Sequence, residues 1–130
     1  MTDLTIRFSI TDLNDELPAE GYHAAVVASA RMRTSQNGNP MLQVIYNLPQ
    51  ASPGCDTVPE YFVLSGSTPR ACVVSRRRLF ALYRACGFEP HEGDVLRPAD
   101  LVGTQLEIRL GHETYDGTLR LRVLGYRALP

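Results

Sequence analysis

The chain has 130 residues, with 13 basic against 14 acidic side chains, a net charge of −1 and three cysteines. That length suits one domain, and 44% apolar with 21% charged residues matches neither a disordered nor a membrane-spanning chain. No apolar run approaches the roughly 18–20 residues of a spanning helix, and Met1-Thr2-Asp3-Leu4-Thr5 lacks the basic and apolar features of a secretory signal, so the expected location is the cytoplasm.

Leu4, Ile6 and Phe8 alternate with polar residues, a short strand signal, and Asp12 to Glu20 reads as an acidic connection. From Gly21, the set Tyr22, Ala24, Val26, Ala28, Ala30 and Met32 alternates with His23, Ala25, Val27, Ser29, Arg31 and Arg33. A period of two over that span predicts a long strand with one face toward a core. Asn37-Gly38 predicts a tight turn, because both residues tolerate positive φ. Leu42, Val44, Tyr46 and Leu48 then mark the returning partner of an antiparallel hairpin. Pro49 through Pro59 reads as a loop, and Glu60 to Leu64 as a third strand on which either Tyr61 or Phe62 faces outward.

Thr68 as cap and Pro69 in the first turn predict a helix that ends at Gly87. Its core side holds Cys72, Leu79, Leu82, Tyr83 and Cys86, and Arg70, Arg77 and Arg84 recur opposite, on a face that either grips phosphates or is simply solvated. Residues 88–102 form a connection with a helical turn at Pro98–Leu101. Leu106, Ile108 and Leu110 mark a fourth strand, His112–Gly117 a turn, and Leu119, Leu121 and Val123 a fifth strand. Three strands, a helix and two strands is the order of the OB-fold barrel. The expected fold is an all-β, OB-like five-stranded antiparallel barrel with the helix between strands 3 and 4. Residues 1–20 would be an N-terminal arm with a short strand, and residues 21–130 the OB-like domain.

Charge is unevenly distributed. Residues 1–20 hold one Arg against five acids, residues 21–88 seven Arg against two acids, and residues 89–130 five Arg against seven acids. Every basic residue is Arg, whose planar fork suits phosphate and whose face stacks on rings; codon bias in the source genome would produce the same usage. Cys55, Cys72 and Cys86 are too scattered for a zinc motif and are expected as structural thiols, so no metal or cofactor is implied. No G-x-x-x-x-G-K-[ST], G-x-S-x-G or H-E-x-x-H motif is present, which disfavours an enzyme, a metal-dependent nuclease included.

On a barrel, the outward set includes Arg31, Arg33, Gln43, Arg120 and Arg122, with Tyr61 on the third strand and Tyr115, beside His112, in the last hairpin loop. Single strands need cations for phosphates and aromatic planes for bases, and OB barrels bind them on strands two and three beside the first and last hairpin loops. These seven residues are the candidate DNA-binding set. Each alone is equally consistent with protecting an edge or keeping the protein soluble.

Gly21-Tyr22 opening a long strand, Asn37-Gly38, Met41-Leu42-Gln43-Val44, Arg77-Arg78-Leu79 leading to Ala85-Cys86-Gly87, Leu101-Val102-Gly103 and Tyr115-Asp116-Gly117 form a pattern that runs from about Phe8 to Tyr126. It resembles a bacteriophage and prophage family of small proteins, formerly of unknown function and often described as single-stranded-DNA-binding. The resemblance implies an OB-type fold and a non-catalytic role in phage replication or recombination, in the host cytoplasm. It implies single-stranded DNA as partner, with recombinase or replication proteins as further candidates and a homo-oligomer left open. No membrane partner is implied. Many single-strand binders end in an acidic tail, whereas this chain ends Tyr126-Arg127-Ala128-Leu129-Pro130. The alternative function is an OB-type module that binds a protein of such a complex, for which outward apolar positions such as Ile45 would matter.

Overall fold

The computed structural model describes residues 17–66 and 68–130. The strand expected at Leu4–Phe8 and most of the N-terminal arm lie outside the described residues.

Five strands form one antiparallel sheet: β1 (Gly21–Thr34), β2 (Pro40–Asn47), β3 (Thr57–Val63), β4 (Gln105–Tyr115) and β5 (Thr118–Arg127). One helix, α1 (Pro69–Ala85), lies between β3 and β4 in the chain, and Pro98–Leu101 forms a 3-10 turn before β4. The strand order is β3-β2-β1-β4-β5.

Local chemistry accounts for the connections. Gly38 sits at φ +81° in the β1–β2 turn, where Ser35 N–H donates to Asn39 O at 2.8 Å and Gly38 N–H to Ser35 O at 2.9 Å. The β4–β5 hairpin closes on Asp116 (φ +51°) and Gly117 (φ +75°), two consecutive left-handed residues as a type I′ turn requires. This turn is tighter than the six-residue loop expected from His112 to Gly117. His112 and Tyr115 therefore belong to β4, because the ladder with β5 continues to the pair Tyr115–Thr118.

β1 explains how the sheet curls. Its first half pairs with β4 up to Val26–Gln105, and its second half with β2 from Val26–Asn47 to Thr34–Pro40. The register with β2 shifts between Val27 and Ser29. Such a bulge bends a strand and inserts one residue. Strict alternation would place Ala25 and Val27 on the same face as Arg31. With the extra residue, Ala25 and Val27 are buried while Arg31 and Arg33 stay exposed. β5 contains a second shift, opposite Arg109 and Leu110.

The core lies on the inner face of this curled sheet, under α1. It joins Leu42, Val44 and Tyr46 of β2, Phe62 of β3, Ile108 and Leu110 of β4, and Leu79, Leu82 and Tyr83 of α1. The helix begins as expected, with Thr68 Oγ1 accepting from Ala71 N–H at 3.2 Å and Pro69 in the first turn. Cys72 is buried and Cys55 and Cys86 are half-buried, all three as free thiols.

The fully closed barrel is not formed: β3 and β5 are the two edges of the sheet and share no ladder. Two features stand where that ladder would be. Pro59, in the middle of β3, has no N–H to offer a neighbour, which suits an edge position. Between the edges, α1 packs against both β3 and β5, and side chains bridge the seam. Glu60 of β3, only 5% exposed, accepts from Tyr46 Oη at 2.7 Å, from Tyr126 Oη of β5 and from Arg78 of α1. A buried carboxylate requires such donors. Burial, then the Glu60 charge, pushes both tyrosine hydroxyls well above their ordinary range. Burial alone would lower the Arg78 pKa, but its hydrogen bond to Glu60 prevails and raises it.

Candidate nucleic-acid interface

Residues paired directly across neighbouring strands share a face. Arg31 of β1 pairs with Gln43 of β2, and Gln43 with Tyr61 of β3, so the three form one row across the outer face. Side-chain hydrogen bonds tie the row together. Arg33 Nε donates to Gln43 Oε1 at 3.0 Å, and Gln43 Nε2 donates to Tyr61 Oη at 3.0 Å. The alternative left open on the third strand is resolved: Tyr61 is 45% exposed, while Phe62 is buried beneath the Arg78 guanidinium, 4.9 Å from its ring centroid. Gln43 uses both ends of its amide, which ties the Tyr61 phenol to the Arg33 guanidinium. Among the described residues no carboxylate lies within 4.0 Å of Arg31 or Arg33.

The second group lies at the end of the β4–β5 hairpin. The Arg120 guanidinium stacks on Tyr115, 4.1 Å from the ring centroid, and Tyr115 is 59% exposed. Glu113 holds both neighbouring cations, with Arg120 Nε at 3.0 Å from Oε1 and Arg122 Nη1 at 3.7 Å from Oε2.

The open seam joins the two groups. A groove of about 540 Å³ runs between the edges of β3 and β5 and is lined by Tyr61 on one side, Arg120 and Arg122 on the other, and Arg78 from the helix. Tyr61 is thus shared: its hydroxyl belongs to the Arg33–Gln43 network and its ring to the groove. All seven residues expected from the sequence belong to one connected surface, Tyr115 through its contact with Arg120. His112 does not contribute, because its backbone N–H donates to Glu20 at 3.0 Å and its ring lies 2.6 Å from the Pro18 carbonyl oxygen. Ile45 is half-buried in the outer row between Ser29 and Pro59.

Three participants escape sequence reasoning. Arg78 follows Arg77 directly, and only its contact with Glu60 shows that it turns toward the groove. Glu113 partly neutralises the hairpin arginines. A second arginine–tyrosine pair, Arg127 over Tyr22 at 3.7 Å, lies on the outer face, with Arg127 Nε also donating to Glu107 at 2.7 Å. Pairing of Tyr22 with Arg109 and of Glu107 with Arg127 places these groups together. The outer face of the strands thus carries Arg31, Arg33, Arg109, Arg120, Arg122 and Arg127 against Glu107 and Glu113, a local cationic face on a nearly neutral chain.

Among the described residues no group of three or more His, Cys, Asp or Glu could hold a metal ion, and no helix is long and apolar enough to cross a membrane. Neither a scan against protein-family models nor a search of curated proteins returned a match to this chain.

Proposed function

We propose that this protein binds single-stranded DNA without catalysing a reaction on it, as an OB-type domain of a phage replication or recombination system. The observation that carries the reading is the position of Tyr61, hydrogen-bonded into the Arg33–Gln43 network on one side and lining the groove of Arg120 and Arg122 on the other. A base stacked on an exposed phenol with phosphates on flanking guanidiniums is the arrangement by which single strands are held with little sequence preference. The sharing of β1 between β2 and β4, the helix after β3 and a seam between β3 and β5 agree with the partly open barrel of OB domains. Arg33 near the end of β1 and Tyr115 at the end of β4 bring the set close to the first and last hairpin turns, the loops beside which OB domains bind oligonucleotides.

The test is a titration with labelled oligo-dT at two salt concentrations. If Arg31, Arg33, Arg120 and Arg122 each neutralise one phosphate, the logarithmic salt slope is about −3, and affinity falls about 50-fold between roughly 50 and 200 mM salt. Absence of binding at low salt, or binding indifferent to salt, would overturn the proposal.

A further inference from the structure

The outer face of α1 lies away from this groove and carries a separate pattern. At 100° per residue, Arg70, Val73, Val74, Arg77, Phe80 and Arg84 fall within an arc of about 120°, opposite the buried Cys72, Ser75, Leu79 and Leu82. All six are exposed, including Val73 (42%), Val74 (45%) and Phe80 (37%). The arginines recur every seven residues, about 10.5 Å apart along the axis, with the valines between the first two and the phenylalanine between the second and third. No acidic residue occurs anywhere in Pro69–Ala85, and among the described residues no carboxylate lies within 4.0 Å of Arg70, Arg77 or Arg84. Two shallow hollows follow one another along the stripe. The first, about 390 Å³, is formed by Pro69, Arg70, Val73, Val74 and Arg77, and the second, about 270 Å³, opens between Phe80, Arg84 and a loop that brings Leu96 together with His91, Glu92 and Asp94.

The arginines run along the middle of that arc, with Val73 and Phe80 on one edge and Val74 on the other, and a merely solvated helix face has no use for three exposed apolar side chains flanking such a row. Phosphates would satisfy the arginines but would gain nothing from Val73, Val74 or Phe80. A seven-residue alternation of charge and apolar groups is instead what a second helix reads, because two packed helices meet in register every seven residues. We infer that the outer face of α1 is a docking surface for an amphipathic helix of a partner protein, with acidic residues at seven-residue spacing and apolar residues between them. The partner's carboxylates meet Arg70 and Arg77 and its apolar side chains enter the first hollow and lie against Phe80, while Glu92 and Asp94 at the second hollow call for an uncharged or basic partner residue beside Arg84. This surface is independent of the DNA groove, so the protein holds both partners at once.

The test uses a fluorescein-labelled acidic helical peptide of three heptads, with Glu and Leu in that register, and a control peptide of the same composition in shuffled order. Anisotropy is read with the full chain, and circular dichroism checks the fold of the exposed variants Arg77→Glu and Val74→Asp. The expected result is saturable binding of the register peptide at least about tenfold tighter than the control. Each variant weakens it about tenfold, a Glu→Lys exchange at the matching peptide position restores binding to Arg77→Glu, and oligo-dT does not displace the peptide. Absence of saturable binding, equal binding of the shuffled peptide, or oligo-dT displacing the peptide through the same residues would each overturn the inference.

Discussion

Glu113 offers a sharp perturbation, because it is the carboxylate that competes with phosphate inside the proposed site. It contacts Arg120 at 3.0 Å and Arg122 at 3.7 Å. A phosphate seated on those guanidiniums would lie within about 5 Å of it, where like charges in water repel by about 0.8 kcal/mol. Releasing two solvent-exposed ion pairs costs about 0.2–1 kcal/mol each. Glu113→Gln keeps the shape of the side chain and its acceptor for Arg120, and removes the charge. The sum is a gain of about 1.2–2.8 kcal/mol, so oligo-dT binds about 7- to 100-fold tighter in the variant. Anisotropy at low and moderate salt reads this directly, and the gain shrinks as salt screens the repulsion. A folded Glu113→Gln protein that binds oligo-dT no better than the parent, or more weakly, would refute the placement of phosphate on Arg120 and Arg122.

Other outcomes concern the seam. Tyr126→Phe removes one donor to the buried Glu60 carboxylate and lowers stability by about 2 kcal/mol in urea unfolding; a loss under about 0.5 kcal/mol would show that the seam does not depend on it. Because the folded state holds Tyr46 and Tyr126 neutral above their ordinary pKa, their contribution is complete below about pH 10. It is lost as pH rises further, at up to about 2.7 kcal/mol per pH unit for the pair. In alkaline unfolding Tyr126→Phe therefore shows about half that slope, and an unchanged slope would contradict the arrangement. Tyr83 has a buried hydroxyl with no hydrogen-bond partner among the described residues. Tyr83→Phe is accordingly neutral or stabilising by up to about 1 kcal/mol, which the same urea curves check.

What the sequence revealed follows the range of each interaction. Both hairpins and the helix boundaries were legible because Asn37-Gly38, Asp116-Gly117, Thr68-Pro69 and Gly87 act within a few residues of themselves. The β1 bulge was hidden, because Ala24 to Ala30 are small or apolar on both sides of the strand and the alternation reads straight through the inserted residue. β3 starts at Thr57 rather than Glu60, since Pro59 resembles a loop residue until its edge position is known. The open seam and the Glu60 cluster were illegible: they join β2, β3, α1 and β5 over as many as 66 positions of sequence. In the site, Arg31, Arg33 and Gln43 could be aligned from hairpin register alone, whereas the face of β3 on which Tyr61 lies could not, because a long loop rather than a tight turn precedes that strand. The junction of Tyr61 with Arg120 and Arg122 depends on the curl of the whole sheet. Tyr22 went unnoticed because alternation grouped it with the apolar positions of β1.

The most direct measurement of the central claim is a map of backbone amide chemical shifts in isotope-labelled protein titrated with oligo-dT. Perturbations are expected to centre on Arg31, Gln43, Tyr61, Arg120 and Arg122, continuous across the groove, with the outward-facing Arg70, Val73, Val74 and Arg84 of α1 unmoved. Shifts confined to the helix, or spread over patches that leave Tyr61 and its neighbours unchanged, would contradict it.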